Sequence, residues 1–181
     1  MHKRISQLFI FVGIVFLLAS IALSVSRLGI LSFDKKVLEN TEFVAHTDSA
    51  PSPVSIKIAK VDIELPIVET VITDGTWEIA ETTASHLANS ANPGSMGNTV
   101  VYAHNKTNLF GPIRWLEAGD DVVVQNEEGV EFKYRVVESY TTSPKNIGVV
   151  MPTKEERLTL YTCTGFLDKD RHVVVAAPIN E

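Results

Sequence analysis

Val54-Ser55-Ile56-Lys57-Ile58-Ala59-Lys60 decides the fold class. Val54, Ile56 and Ile58 alternate with Ser55, Lys57 and Lys60, the period of a half-buried strand. Ile63–Val68 continues as a second strand, in which Pro66 predicts an edge or a bend. Further on, Asp74-Gly75 is a turn signal, and Glu81–Ala88 reads as a short helix. Thr99–Ala103 is a buried strand, and Leu109–Leu116 is a short helix with Pro112 near its first turn. Asp120–Gln125 and Val130–Tyr140 form a hairpin across Asn126-Glu127-Glu128-Gly129. Thr141–Glu156 is a long polar connection. Arg157–Thr162 and His172–Ala177 are the final strands. A mainly β domain of about eight short strands with few short helices is expected to close into a barrel or sandwich, because closure removes exposed edges.

Before this domain the composition changes. Ile5 to Val25 is almost wholly Ile, Leu, Phe, Val and Ala. A membrane span needs about 20 residues at roughly 1.5 Å each, so the run fits one. Lys3 and Arg4 precede it and orient the N-terminus to the cytoplasm. A cleaved signal peptide is the rival, with Ala19-Ser20-Ile21-Ala22 as the cleavage site, but the run exceeds the usual apolar region. The expected organisation is a cytoplasmic tail (1–4), one transmembrane helix (5–25), a stalk (26–53) and an extracellular β domain (54–181). The protein would then be a single-pass protein of the cell membrane. Lys35–Phe43 in the stalk admits a short amphipathic helix.

The net charge is −6. From Val54 onward, 11 basic residues stand against 18 acidic ones, a balance of −7. That acidity excludes the basic footprint of a nucleic-acid binder. The single cysteine excludes an intramolecular disulfide and a multi-cysteine metal site. No acidic run has calcium-loop spacing, so neither metal nor cofactor is expected.

In an exported chain, an odd cysteine is either inert and buried or a reactive thiol. Cys163 closes Thr159-Leu160-Tyr161-Thr162-Cys163, which puts it at a strand end, within reach of a substrate. Arg171 begins the next strand. If the two strands pair, its guanidinium comes near the thiol, where it favours thiolate and can donate to a developing oxyanion. A cysteine nucleophile also needs a base. His104 ends the strand Thr99–Ala103 and is followed by Asn105-Lys106-Thr107-Asn108. His86 is the rival base or an auxiliary substrate contact. His172 should face the other side of its strand. His2 and His46 lie in tail and stalk. Trp77 and Trp115 read as packing.

The pentapeptide matches the Thr-Leu-x-Thr-Cys signature of sortases. Gly97–His104 resembles the family's approach to its histidine, and Phe110–Asp120 is similar to the family's segment beyond that histidine. Arg171 matches the family's arginine, and Ile56–Ile67 resembles its first two strands. The resemblance covers about Val54 to Pro178. Many sortases have Gly where this chain has Ala103. The resemblance implies a sortase-type barrel and a cysteine transpeptidase. Cys163, His104 and Arg171 would be catalytic, with Thr162 and His86 as substrate contacts. The implied substrates are surface proteins bearing a Leu-Pro-x-Thr-Gly-like sorting signal. The implied acceptor is an envelope amine, a cell-wall precursor or a pilin lysine. The chain carries no Asp-Pro-aromatic lid between Leu31 and Pro53 and no second apolar segment, which favours a housekeeping or class D/E-like role over pilus building. The alternatives are a cysteine peptidase with water as acceptor and a non-catalytic anchored module. Papain-like enzymes place Cys before His, the reverse of the order here. Reference acidities leave about 1% of a Cys–His pair charged, so a neutral resting pair is expected.

Overall fold

The computed structural model describes residues 2–25, 50–73 and 76–179. The stalk over 26–49, its helix at Lys35–Phe43, His46 and the Asp74-Gly75 turn lie outside the described residues. The chain divides into two compact units, Met1–Ile30 and Leu31–Glu181. In the first, helix α1 spans His2–Val25. Its described side chains are those of residues 7 and 10–20. Among the described residues, no helix is long and apolar enough to cross a membrane.

The second unit is built from ten strands: β1 (Pro53–Ile58), β2 (Ile63–Thr70), β3 (Ile72–Thr73), β4 (Thr76–Trp77), β5 (Ala84–Leu87), β6 (Asn98–Tyr102), β7 (Asp121–Asn126), β8 (Glu131–Thr142), β9 (Arg157–Thr164) and β10 (Asp170–Pro178). Eight of them close into a barrel in the order β1-β2-β5-β6-β9-β10-β8-β7, and β3-β4 is a separate ribbon. Closure leaves the barrel without the open edges that invite pairing with other chains. Most neighbours are antiparallel, but β2–β5 and β6–β9 are parallel.

Alternation of side chains makes the core. Ile56, Ile58, Val101, Leu158, Leu160 and Val174 are fully buried members of one apolar cluster. Each such side chain contributes roughly 1.5–3 kcal/mol by leaving water. The β7–β8 hairpin forms where it was expected, with Gly129 in the left-handed region and the Asn126 amide donating to the Val130 carbonyl at 3.0 Å.

Three expectations are corrected. Glu81–Ala88 is not a helix: 81–83 is a bend, and β5 comes next. All four β5 side chains are buried, and ladders to β2 and β6 occupy both edges. Pairing on both sides outweighs the helix propensity of Glu and Ala. Pro66 does not make β2 an edge strand. β2 pairs with β1 as far as Pro66 and with β5 from Ile67, so the residue without an N–H sits at the exchange of partners. Finally, the helix expected over Leu109–Leu116 is a single 3-10 segment, Gly111–Trp115.

Candidate active site

Strand register brings distant residues together. β6 runs parallel to β9 with Val101 opposite Leu160 and Tyr102 opposite Tyr161. Beyond β6 the pairing continues. The Ala103 amide donates to the Tyr161 carbonyl at 3.3 Å, and Thr162 Oγ1 donates to the Ala103 carbonyl at 2.8 Å. Extending this register sets His104 level with Cys163. On the other side of β9, Arg171 is the direct partner of Cys163 in the antiparallel pair with β10. Cysteine and arginine therefore lie on adjacent strands, with the histidine two residues past the end of the strand on the other side of β9. The His104 carbonyl accepts from the amides of Lys106 at 2.8 Å and Phe110 at 3.2 Å, which fixes the turn after the histidine.

An aromatic layer joins the barrel wall beside the site to the β3–β4 ribbon. Trp77 meets Tyr102 edge-on at 4.9 Å between centroids and Tyr161 at 6.1 Å. The Tyr102 hydroxyl donates to the Glu78 carbonyl at 2.6 Å and lies 2.7 Å from Thr70 Oγ1. These contacts fasten the β3–β4 ribbon and the chain after it to the barrel wall. Trp77 is buried packing, whereas Trp115 is exposed beneath the Arg114 guanidinium.

The short β9–β10 loop returns the chain. Gly165 has φ +80°, and a Cβ there would stand 2.6 Å from Asp170 Oδ2. Leu167 and Asp168 also adopt left-handed φ, an unfavourable conformation for side-chain-bearing residues. Arg171 Nη1 stitches the loop by donating to the carbonyls of Asp168 at 2.9 Å and Asp170 at 3.0 Å. Asn105 Nδ2 donates to Asp168 Oδ1 at 3.0 Å, and Arg114 Nη2 donates to Asn105 Oδ1 at 2.8 Å. The segment after His104 is thus tied to the loop before Arg171.

Cys163 is only 3% exposed. Burial pushes its thiol up to about 11, the Arg171 guanidinium opposes that rise, and Asp168 adds to it. Burial thus favours the neutral thiol over the thiolate. Arg171 is 4% exposed. It is a buried cation held by the carbonyls of Asp168 and Asp170. His104 Nε2 lies 3.4 Å from Glu81 Oε1.

Two sequence-predicted substrate contacts have other roles here. Thr162 is buried, and its hydroxyl is committed to the Ala103 carbonyl, so it ties β9 to the chain before His104. His86 is fully buried. Its Nδ1 meets Glu69 Oε1 at 2.6 Å, and its Nε2 lies 3.0 Å from Ser90 Oγ and 3.1 Å from the Ala91 carbonyl. Neither ring nitrogen is available to substrate. His86→Ala is expected to cost about 1–3 kcal/mol in urea denaturation, through the unpaired polar groups it leaves. Peptide turnover of the folded variant should change less than about threefold, since no contact to the reacting groups is lost. His172 faces away from Cys163, as expected, toward Ser139 Oγ at 3.2 Å. Glu81, Asn105 and Asp168 were not singled out, and no spacing in the sequence marks them.

Chemically, a thiol paired in register with an arginine, and next to the strand that leads to a histidine, is a combination suited to nucleophilic acyl transfer. The Sortase domain model matches residues 56–179, and the chain belongs to the sortase family, cysteine transpeptidases that act on peptide bonds. It is 33% identical over 70 residues to Sortase A of Listeria monocytogenes serovar 1/2a; that stretch covers 37% of this chain and 31% of that protein. The Sortase D5 transpeptidase of Clostridium perfringens shares 28% identity at a TM-score of 0.61, over 81% of this chain and 86% of that one. Sortase A from Corynebacterium diphtheriae shares the fold at a TM-score of 0.62 and 22% identity, over 88% of this chain and 82% of that one.

Proposed function

We propose that this chain cleaves a Leu-Pro-x-Thr-Gly-like sorting signal and transfers the acyl part to an amine of the cell envelope. The observation that carries the reading is the pairing of Cys163 with Arg171 on one side and the β6–β9 register leading to His104 on the other. Cys163 Sγ attacks the scissile carbonyl and forms a thioester. His104 receives the thiol proton and returns it to the leaving amine, and Arg171 donates to the oxyanion. An incoming amine then repeats the steps in reverse order. Splitting one acyl transfer into two lowers each barrier.

The apolar run over 5–25 anchors the chain, with the basic residues Lys3 and Arg4 on the cytoplasmic side and the barrel outside. Exposed Ile10, Phe11, Phe16, Leu17 and Leu18 on α1 support burial in lipid. Partners are surface proteins carrying the signal and an amine acceptor, either a cell-wall precursor or a pilin lysine.

The test is cleavage profiling of Leu-x-x-Thr-x peptides by the full chain in detergent micelles, with and without glycine or diaminopimelate-type amines. Amine-dependent ligation products, absent with Cys163→Ala, are expected. Hydrolysis unaffected by any amine would make the protein a peptidase. No cleavage and no thiol-reactive adduct would make it a non-catalytic module.

A further inference from the structure

His104 Nε2 is buried, although the residue as a whole is partly exposed. A carboxylate oxygen, Glu81 Oε1, stands 3.4 Å from it. The separation is that of an ion pair and not of an aligned hydrogen bond; among the described residues, Nε2 makes no aligned one. Glu81 is not a loose surface acid. Lys106 Nζ donates to its Oε2 at 3.1 Å and to its backbone carbonyl at 3.1 Å. Lys106 itself stands two residues after His104, and its amide is bonded to the His104 carbonyl. Next to Glu81, the Ala80 amide donates to Ser85 Oγ at 3.0 Å, which fixes the bend. His104, Lys106 and Glu81 thus form a closed clasp. The hydrogen bond from Lys106, with the nearby His104 ring and the Lys106 charge, also holds the Glu81 carboxyl below the usual range.

Imidazole has two nitrogens, and in the neutral ring one carries the proton while the other accepts. A carboxylate beside one nitrogen keeps the proton there. We propose that Glu81, held by Lys106, is a positioning residue for His104: it keeps a proton on Nε2 and so assigns Nδ1 as the nitrogen that exchanges a proton with Cys163. The inference rests on the reading of His104 as the proton-transfer group. In the first step, Nδ1 takes the thiol proton as sulfur bonds to the carbonyl carbon. The same proton then passes to the leaving nitrogen as the C–N bond breaks, and the ring returns to its starting tautomer. Glu81 never accepts that proton. It steadies the imidazolium that forms in between, and contacts that are long in the free enzyme tighten when the transition state is reached.

The decisive measurement needs no substrate. Full-length chain labelled with ring-15N histidine is examined by NMR at pH 8 in micelles, with His104 assigned through His104→Gln. The native protein should show the Nε2–H tautomer as the dominant neutral form. Glu81→Ala should shift the population toward Nδ1–H, while Glu81→Gln, which keeps an acceptor, should retain the native signature. In turnover, Glu81→Ala should lower kcat about tenfold with KM within twofold, a part of the full acid–base effect. Glu81→Gln should recover to within about threefold of native. A native Nδ1–H tautomer, or one unchanged in Glu81→Ala, overturns the proposal. If the native chain cleaves no Leu-Pro-x-Thr-Gly peptide, the functional reading fails, and the tautomer still decides the role of Glu81.

Discussion

Arg171→Ala should lower kcat/KM for peptide cleavage by about 10²–10³-fold, the range for losing a preorganised donor to an oxyanion. The expectation comes from how the guanidinium is held. It is the register partner of Cys163, buried, and fixed by the carbonyls of Asp168 and Asp170. A donor fixed before the reaction needs no reorganisation when charge develops on the substrate oxygen. Arg171→Lys should recover little, because an ammonium cannot reproduce the planar fork that satisfies the loop and faces the substrate together. The measurement is steady-state kinetics with a fluorogenic Leu-Pro-x-Thr-Gly peptide, alongside thermal melting to confirm that the variant is folded. A folded Arg171→Ala variant that keeps more than a tenth of native kcat/KM would exclude the oxyanion role.

Alkylation of Cys163 by iodoacetamide should rise about 1000-fold between pH 7 and pH 10, close to tenfold per pH unit. The thiolate reacts and the thiol does not. Burial holds the thiol near 11 in the free protein, so only roughly 10⁻⁴ is ionised at pH 7. Through the whole interval the thiolate fraction grows in proportion to hydroxide. An ordinary exposed cysteine, with a pKa of about 8.5, would level off well before pH 10. A rate already at its plateau at pH 7 would show a preformed thiolate and overturn this account. Arg171→Gln should lower the rate at each pH in this range, since the guanidinium is the group that opposes the effect of burial. With a neutral resting thiol, deprotonation belongs to the attack itself, and the placement of the imidazole carries more of the catalysis.

The sequence made the strand pattern legible where side chains alternate, as in Val54–Ile58, and where Gly129 closes a hairpin. It placed Arg171 beside Cys163, because adjacent antiparallel strands joined by a short loop return to the same end. β5 was not legible. Ala84-Ser85-His86-Leu87 carries no alternation, since all four residues are covered, and its neighbours favour helix. The parallel pairings of β2 with β5 and of β6 with β9 were equally hidden, because local patterning does not encode which distant strand becomes a neighbour. Thr162 and His86 look like site residues in a linear reading because they adjoin it in sequence or type. The structure uses both as internal ties. Glu81 was invisible for the opposite reason: an exposed glutamate beside a bend is the commonest of surface features until Lys106 and His104 converge on it.

The parallel seam between β6 and β9 also governs when the protein becomes an enzyme. A parallel pair cannot arise from a hairpin, and this one joins positions 59 residues apart, with the β7–β8 hairpin formed in between. Local hairpins form early, while contacts of such long range must first overcome the entropy of closing a large loop. Assembly of the site therefore waits on the fold: until the seam closes, the segment carrying His104 is not held beside the strand carrying Cys163. Cys163 gains its burial and its neighbours by the same long-range step, which makes the thiol harder to ionise while it creates the arrangement a substrate meets.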